Sequence, residues 1–136
     1  MTKKRLKKKL DTLYIKKLQN PHLKLPIQSL EQNLIKLNDP ELVYQYACMI
    51  NKKLNSKLEK VLSEDGIYSY LYATQILKDR FKKGEPQILF SPSFEAYFNW
   101  LIMNRKKSSF LKDYSFLRKY VYRRKKFSTN LSNNKK

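Results

Sequence analysis

The sequence predicts an all-α protein: a small stacked helical-repeat, solenoid-like bundle with a basic extension at each end. Three observations carry that expectation. Tyr46-Ala47, Tyr72-Ala73 and Phe98-Asn99 follow one another at 26-residue intervals. Asp39-Pro40, Asp65-Gly66 and Ser91-Pro92 keep the same interval, as do Ile50, Ile76 and Ile102, and Glu59 with Glu85. A period of this size is the mark of a repeat array. Apolar residues also recur at steps of three and four, whereas two glycines and a scarcity of alternating apolar runs argue against a sheet.

Taken in order, residues 3–18 place Leu6, Leu10, Leu13, Tyr14 and Leu18 on one helical stripe among lysines. Like charges one turn apart repel, so this helix needs its stripe docked on the domain or its lysines set against a polyanion. Asn20-Pro21 ends it, and Pro26 keeps residues 22–25 extended. Ser29 with Gln32 reads as a capping box opening a short helix through Leu30, Leu34 and Leu37. Asp39-Pro40 is an N-cap followed by a proline suited to the first helical position. Behind it Val43, Tyr46, Ala47, Ile50 and Leu54 form an apolar face, with Cys48 expected as a small buried residue. Ser56 with Glu59 reads as a second capping box, opening a short helix through Leu58, Val61 and Leu62.

The second unit starts at Asp65-Gly66 and repeats the pattern through Tyr68 or Ser69, Tyr72, Ala73, Ile76 and Arg80, until Lys82-Lys83-Gly84 breaks it. After a short return segment at residues 85–90, Ser91-Pro92 is expected to cap a third long helix through Phe94, Phe98, Leu101 and Ile102. Units of this size cannot bury their own faces and must stack on neighbours. Ala47 and Ala73 suit close helix approach, and the tyrosines fill the layer between units. Glu85 stands apart from the other carboxylates as a repeated position suited to bonding across units, with Arg80 its nearest candidate partner. The expected divisions are a basic helical arm at residues 1–26, the repeat body at 27–104, a basic amphipathic helix at 105–127 and a disordered basic tail at 128–136.

Residues 68–100, YSYLYATQILKDRFKKGEPQILFSPSFEAYFNW, resemble a tandem α-helical repeat found in phage, viral and other uncharacterised proteins. The unit typical of that repeat looks like AYxYAxxVLKGRFPEGEPxIAxDPxYA. Tyr70, Tyr72, Ala73, Lys78, Arg80, Phe81, Gly84, Glu85, Ile88, Ser91, Pro92 and Ala96 match it. The likeness spans residues 39–103 and is good only in the second unit. In the first, Leu54, Asn55 and Leu58 replace the Arg, Phe and Gly of the pattern. The resemblance implies a helical array and no activity.

Charge supplies the functional expectation. The net +19 is unevenly placed: residues 1–26 hold nine Lys/Arg and one Asp, residues 104–136 hold twelve and one, and residues 27–103 hold nine of each sign. Asymmetry of this kind points to nucleic acid or an anionic membrane. Candidate phosphate-binding residues are Lys3, Lys4, Arg5, Lys7, Lys8, Lys9, Lys16 and Lys17 in the first flank. In the second they are Arg105, Lys106, Lys107, Lys112, Arg118, Lys119, Arg123, Arg124, Lys125 and Lys126. There Tyr114, Leu117 and Val121 form the apolar stripe, while Phe116, Tyr120 and Phe127 fall off it and suit stacking on unpaired bases. Interfacial membrane helices are also Lys-rich. The first flank, however, lacks a Trp or Phe anchor and the second is rich in Arg and Tyr, so nucleic acid ranks first.

The expected partner is therefore RNA, ribosomal RNA above all, together with neighbouring proteins of a ribosome or similar ribonucleoprotein, with DNA a weaker alternative. A phage or viral protein-interaction module with nucleic-acid affinity is the rival reading, and the face around Tyr70 and Phe94 is its candidate grip. No membrane, small-molecule substrate, metal or cofactor is expected. One histidine, one cysteine and no Gly-rich phosphate loop leave no catalytic set. Trp100 and Asn104 stand one residue too far apart for a homeodomain recognition helix, which would turn Asn104 away by about 100°. The single cysteine suits a reducing compartment. No apolar run has the roughly 18 residues of a membrane span or supplies a signal-peptide core. Lysine-rich, AT-biased composition fits an organelle such as the mitochondrion, or a phage- or virus-infected cytoplasm.

Overall fold

A computed structural model describes residues 1–104, and they are helical throughout, with no strand among them. The α-helices are α1 (Lys3–Gln19), α2 (Ile27–Leu37), α3 (Pro40–Ile50), α4 (Ser56–Ser63), α5 (Gly66–Leu71), α6 (Glu85–Leu89) and α7 (Phe94–Met103). A π-helical segment, Tyr72–Leu77, continues α5, and a 3-10 turn, Lys82–Gly84, leads into α6. The basic helix expected at 105–127 and the tail at 128–136 lie outside the described residues.

The helices pair in chain order, α2 with α3 through a polar contact, α4 with α5, and α6 with α7; α2 and α3 both pack on α4, α5 packs on α6, and α1 packs along α3. One core runs through the stack from Leu6 and Leu10, through Leu30, Leu34, Leu42, Val43 and Tyr46, to Tyr72, Phe81, Ile88, Tyr97 and Leu101. Ala47 and Ala73 are fully buried, as close approach between units requires.

A repeated polar clasp holds each pair. Tyr46 donates its hydroxyl to Glu31 Oε2 at 2.7 Å, Tyr72 to Glu59 Oε2 at 2.8 Å, and Tyr97 to Glu85 Oε2 at 2.7 Å. Each glutamate sits on the first helix of its pair; Tyr46 and Tyr97 sit on the second, and Tyr72 opens the π segment that continues α5. A further donor meets each glutamate: Asn55 Nδ2 for Glu31 at 3.0 Å, Lys83 Nζ for Glu59 at 3.3 Å, and Arg80 Nε for Glu85 at 3.1 Å. The hydroxyls of Tyr72 and Tyr97 also accept the backbone N–H of Leu54 and of Phe81, tying the clasp to the turn that precedes it. Buried carboxylates persist only when paired and hydrogen-bonded, and here every one is.

These contacts correct the register of the third unit. Tyr97, not Phe98, stands in the place of Tyr46 and Tyr72, so the interval there is one residue shorter. A run of two adjacent aromatics conceals that deletion in the sequence. The opposite change lies in the second unit. From Tyr46 the left-handed Asn51 (φ 52°) that ends α3 is five residues on, whereas Lys78 (φ 53°) is six beyond Tyr72. The extra residue is absorbed by widening the helix to π geometry, the usual fate of a single insertion. The second long helix therefore ends at Leu77 rather than at Arg80.

Several local expectations change as well. Ser29 lies inside α2, which Pro26 precedes without a side-chain cap. Asn55, not Ser56, caps α4 by accepting the Leu58 N–H, which releases Glu59 for its clasp. Ser91 accepts from Ser93 N and α7 begins later, at Phe94. Leu54 is buried but lies in the loop past α3, while Ile50 is only partly covered. Cys48 is exposed, because the helical turn that buries Tyr46, Ala47 and Met49 carries it to the far side. Gly84 serves space rather than turn geometry. Its φ is −91°, and a Cβ there would strike the Ser69 side chain and, at 2.7 Å, the Phe81 ring.

The clasps give the protein a predicted alkaline limit. Burial first, with Glu31, Glu59 and Glu85 adding to it, pushes Tyr46, Tyr72 and Tyr97 well above the ordinary tyrosine value of 10.0; the Leu54 N–H opposes this at Tyr72, second only to burial, and the Phe81 N–H opposes it more weakly at Tyr97. The folded state thus keeps protons that an unfolded chain releases. The stability they represent is complete below pH 10.0 and declines as pH rises above it. Helical circular dichroism and phenolate absorbance should change together in an alkaline titration. Full ionisation of these tyrosines with the helices intact would contradict the clasp geometry.

Candidate nucleic-acid interface

Helix α1 carries most of the basic residues of the first flank, and its docking decides which of them face outward. Thr2 caps it by accepting the Arg5 N–H at 3.2 Å. Leu6 and Leu10 are fully buried against the body, but the expected stripe does not continue: Tyr14 is 45% and Leu18 66% exposed.

Polar contacts show that α1 runs parallel to α3. Lys3 Nζ lies 2.8 Å from Asp39 Oδ2 and 3.5 Å from Glu41 Oε2, at the start of α3. Lys7 Nζ follows at 3.3 Å from Glu41 Oε1, Gln45 donates to Asp11 one turn on, and Lys17 Nζ donates to the Met49 carbonyl at 2.9 Å. Burial raises the Asp39 carboxyl, but the Lys3 ammonium and the N–H groups of Leu42 and Glu41 outweigh it and hold the pKa below 3.8. The same hydrogen bond to Asp39 raises Lys3 above 10.5. Asp39 therefore stays ionised through neutral pH, and its contribution fades only as pH falls below 3.8.

The first flank thus divides by role. Lys3, Lys7 and Lys17 bolt the helix to α3. Lys4, Arg5, Lys8 and Lys16 are exposed, half-exposed Lys9 stands beside them, and none of the five makes an ion pair with a described residue. The result is a fixed row of cations on a rigid rod. The candidates of the second flank, Arg105 through Phe127, lie outside the described residues.

The face around Tyr70 and Phe94 is partly covered. Tyr70 packs edge-on against Tyr97 with ring centres 6.4 Å apart, and Phe94 stacks on Phe98 at 6.2 Å. Trp100 is partly buried against the core at the end of α7. Among the described residues no His/Cys/Asp/Glu cluster could hold a metal ion, and no helix is long and apolar enough to cross a membrane.

The structure also gathers cations that composition conceals. Lys53, Lys57, Lys60, Lys82 and Lys83 are all exposed and line two adjoining grooves of about 520 and 490 Å³. Counting charge along residues 27–103 cancels these lysines against acids of which Glu59 and Asp79 share the first groove, while Asp39, Glu41 and Asp65 lie elsewhere in the fold. Their clustering in two short stretches, 52–60 and 78–83, was the available signal. Comparison with protein-family profiles, with curated proteins and with solved structures gives no match.

Proposed function

We propose that this protein is a non-enzymatic RNA-binding structural component of a ribonucleoprotein, such as a ribosome. The observation that carries the reading is the outward row on docked α1, where Lys4, Arg5, Lys8 and Lys16 face solvent on a helix that Leu6 and Leu10 bury against the body and Lys3, Lys7 and Lys17 tie to α3. A row of this kind neutralises phosphates with little ordering cost, because the rod is already fixed. The excess of positive charge at both ends of the sequence supports the same partner. RNA is favoured over duplex DNA because no described helix offers a set of base-reading side chains, and shape and phosphate contacts suffice for folded RNA.

The test is titration of a structured RNA against the unaltered chain and a K4Q/R5Q/K8Q/K16Q variant across a salt series. Each lost phosphate contact lowers the slope of log K against log salt by about 1, so the variant should lose about 3–4. An unchanged slope would contradict the assignment. A protein-interaction module with nucleic-acid affinity is the second reading, favoured by Tyr14, Ile15 and Leu18, which stay exposed on the last turns of α1.

A further inference from the structure

The repeat body counts as neutral, yet its charges are sorted by the direction of its helices. α3 and α5 run side by side with their starts together, where the Tyr44 and Tyr68 rings are 5.7 Å apart. Their ends are together too, since Lys53 just past α3 shares a groove with Ile76 and Leu77 at the close of the second long helix. Asp39, Glu41 and Asp65 therefore lie at one edge, where Asp39 and Asp65 cap helix starts and Asp39 and Glu41 hold α1. The turns leaving the long helices deliver lysines to the opposite edge.

At that edge the two grooves meet at Lys83, which lines both. The first is lined by Lys53, Lys82 and Lys83 beside Phe81, with Glu59 and Asp79 in the same wall, and the second by Lys57 and Lys60 between Ser56 and Ser63. Of the nearby carboxylates, Glu59 is buried and takes the Tyr72 hydroxyl and Lys83, Glu85 is buried against Arg80 and Tyr97, and half-buried Asp79, in the wall of the first groove, accepts the Arg80 N–H. The end of α1 reaches the same side, because Lys17 binds the Met49 carbonyl in the last turn of α3.

From this arrangement we infer that the lysine edge of the body is a second track for an RNA phosphate backbone, engaged together with α1. The inference rests on the RNA reading above and extends it to residues that no count of charge along the sequence would select. Lysine suits the task as a mobile point charge that follows a phosphate chain without demanding bidentate geometry. Ser56 beside the second groove can donate to a phosphate oxygen, as hydroxyls commonly do at such surfaces, whereas the Ser63 hydroxyl already donates to the Lys60 carbonyl at 2.6 Å.

The experiment titrates one structured RNA hairpin, long enough to reach both surfaces, against three full-length proteins: the unaltered chain, K53Q/K57Q/K60Q and K4Q/R5Q/K8Q/K16Q. Lys53, Lys57 and Lys60 are exposed and make no side-chain ion pair with a described residue, so the first variant should melt as the unaltered chain does. Its affinity should fall on the order of tenfold and its salt slope by about 2–3. If K53Q/K57Q/K60Q binds like the unaltered chain while the α1 variant weakens, the track is overturned and the RNA reading stands. If the unaltered chain shows no salt-dependent binding, both fall.

Discussion

Arg80→Met should lower the free energy of unfolding by about 3–5 kcal/mol, the usual cost of stripping one partner from a buried ion pair. Both side chains are inside, with Arg80 2% and Glu85 4% exposed. The guanidinium meets the carboxylate with two nitrogens, Nε on Oε2 and Nη2 on Oε1. Methionine fills a similar volume but leaves Glu85 with the Tyr97 hydroxyl and without a counter-charge. The loss would appear as a lower urea midpoint at an unchanged denaturant slope. R80M/E85L should recover part of it, since replacing both members of a buried pair is often neutral. Recovery would be incomplete because the Tyr97 hydroxyl loses its acceptor. A change below about 1 kcal/mol for Arg80→Met would mean that the pair is not buried as described.

The second large effect concerns α1. Leu6→Ala and Leu10→Ala should each cost about 2–5 kcal/mol, because both side chains are fully enclosed and their removal leaves cavities. In the Lys3–Asp39 and Lys7–Glu41 pairs the lysines are exposed and the carboxylates partly so, and such surface pairs, worth about 0–1 kcal/mol, cannot hold the helix alone. The double variant should therefore free α1 from the body, read as rapid amide exchange across residues 3–19. Slow exchange there in the double variant would show that the ion pairs, not the leucines, secure the helix.

Much of this architecture was legible because helical signals are local. The steps of three and four in Val43, Tyr46 and Ala47, and the Asp39 and Asp65 caps, specify their helices without tertiary help. The pairing of Arg80 with Glu85 was legible too, from a carboxylate that no cap explained. What escaped were features that depend on where the chain goes next. Glu31 is the first member of the clasp series, yet it precedes Glu59 by more than one period and reads as a helix-start acid until Tyr46 is seen above it. The π segment and the Tyr97 register are single-residue slips, which a period found by eye absorbs. Cys48 looked buried by residue type alone, but helix phase places it outward.

The candidate interface divides in the same way. The basic flanks were plain from the distribution of Lys and Arg, but which lysines are used structurally was not. Lys3, Lys7 and Lys17 are spent on α3, while Lys4, Arg5, Lys8 and Lys16 are not. The lysine edge was hidden by cancellation, since Asp39, Glu41 and Asp65, counted against it along the chain, lie at the opposite ends of the parallel helices, although Glu59 and Asp79 stay beside the lysines.

The most direct test of the account is the salt dependence of structured-RNA binding by the full chain. Six to ten phosphate contacts, about the number the two surfaces offer together, predict an affinity loss of roughly 10³–10⁵ between 50 and 200 mM salt. Affinity that is absent, or that stays flat across that range, would contradict it.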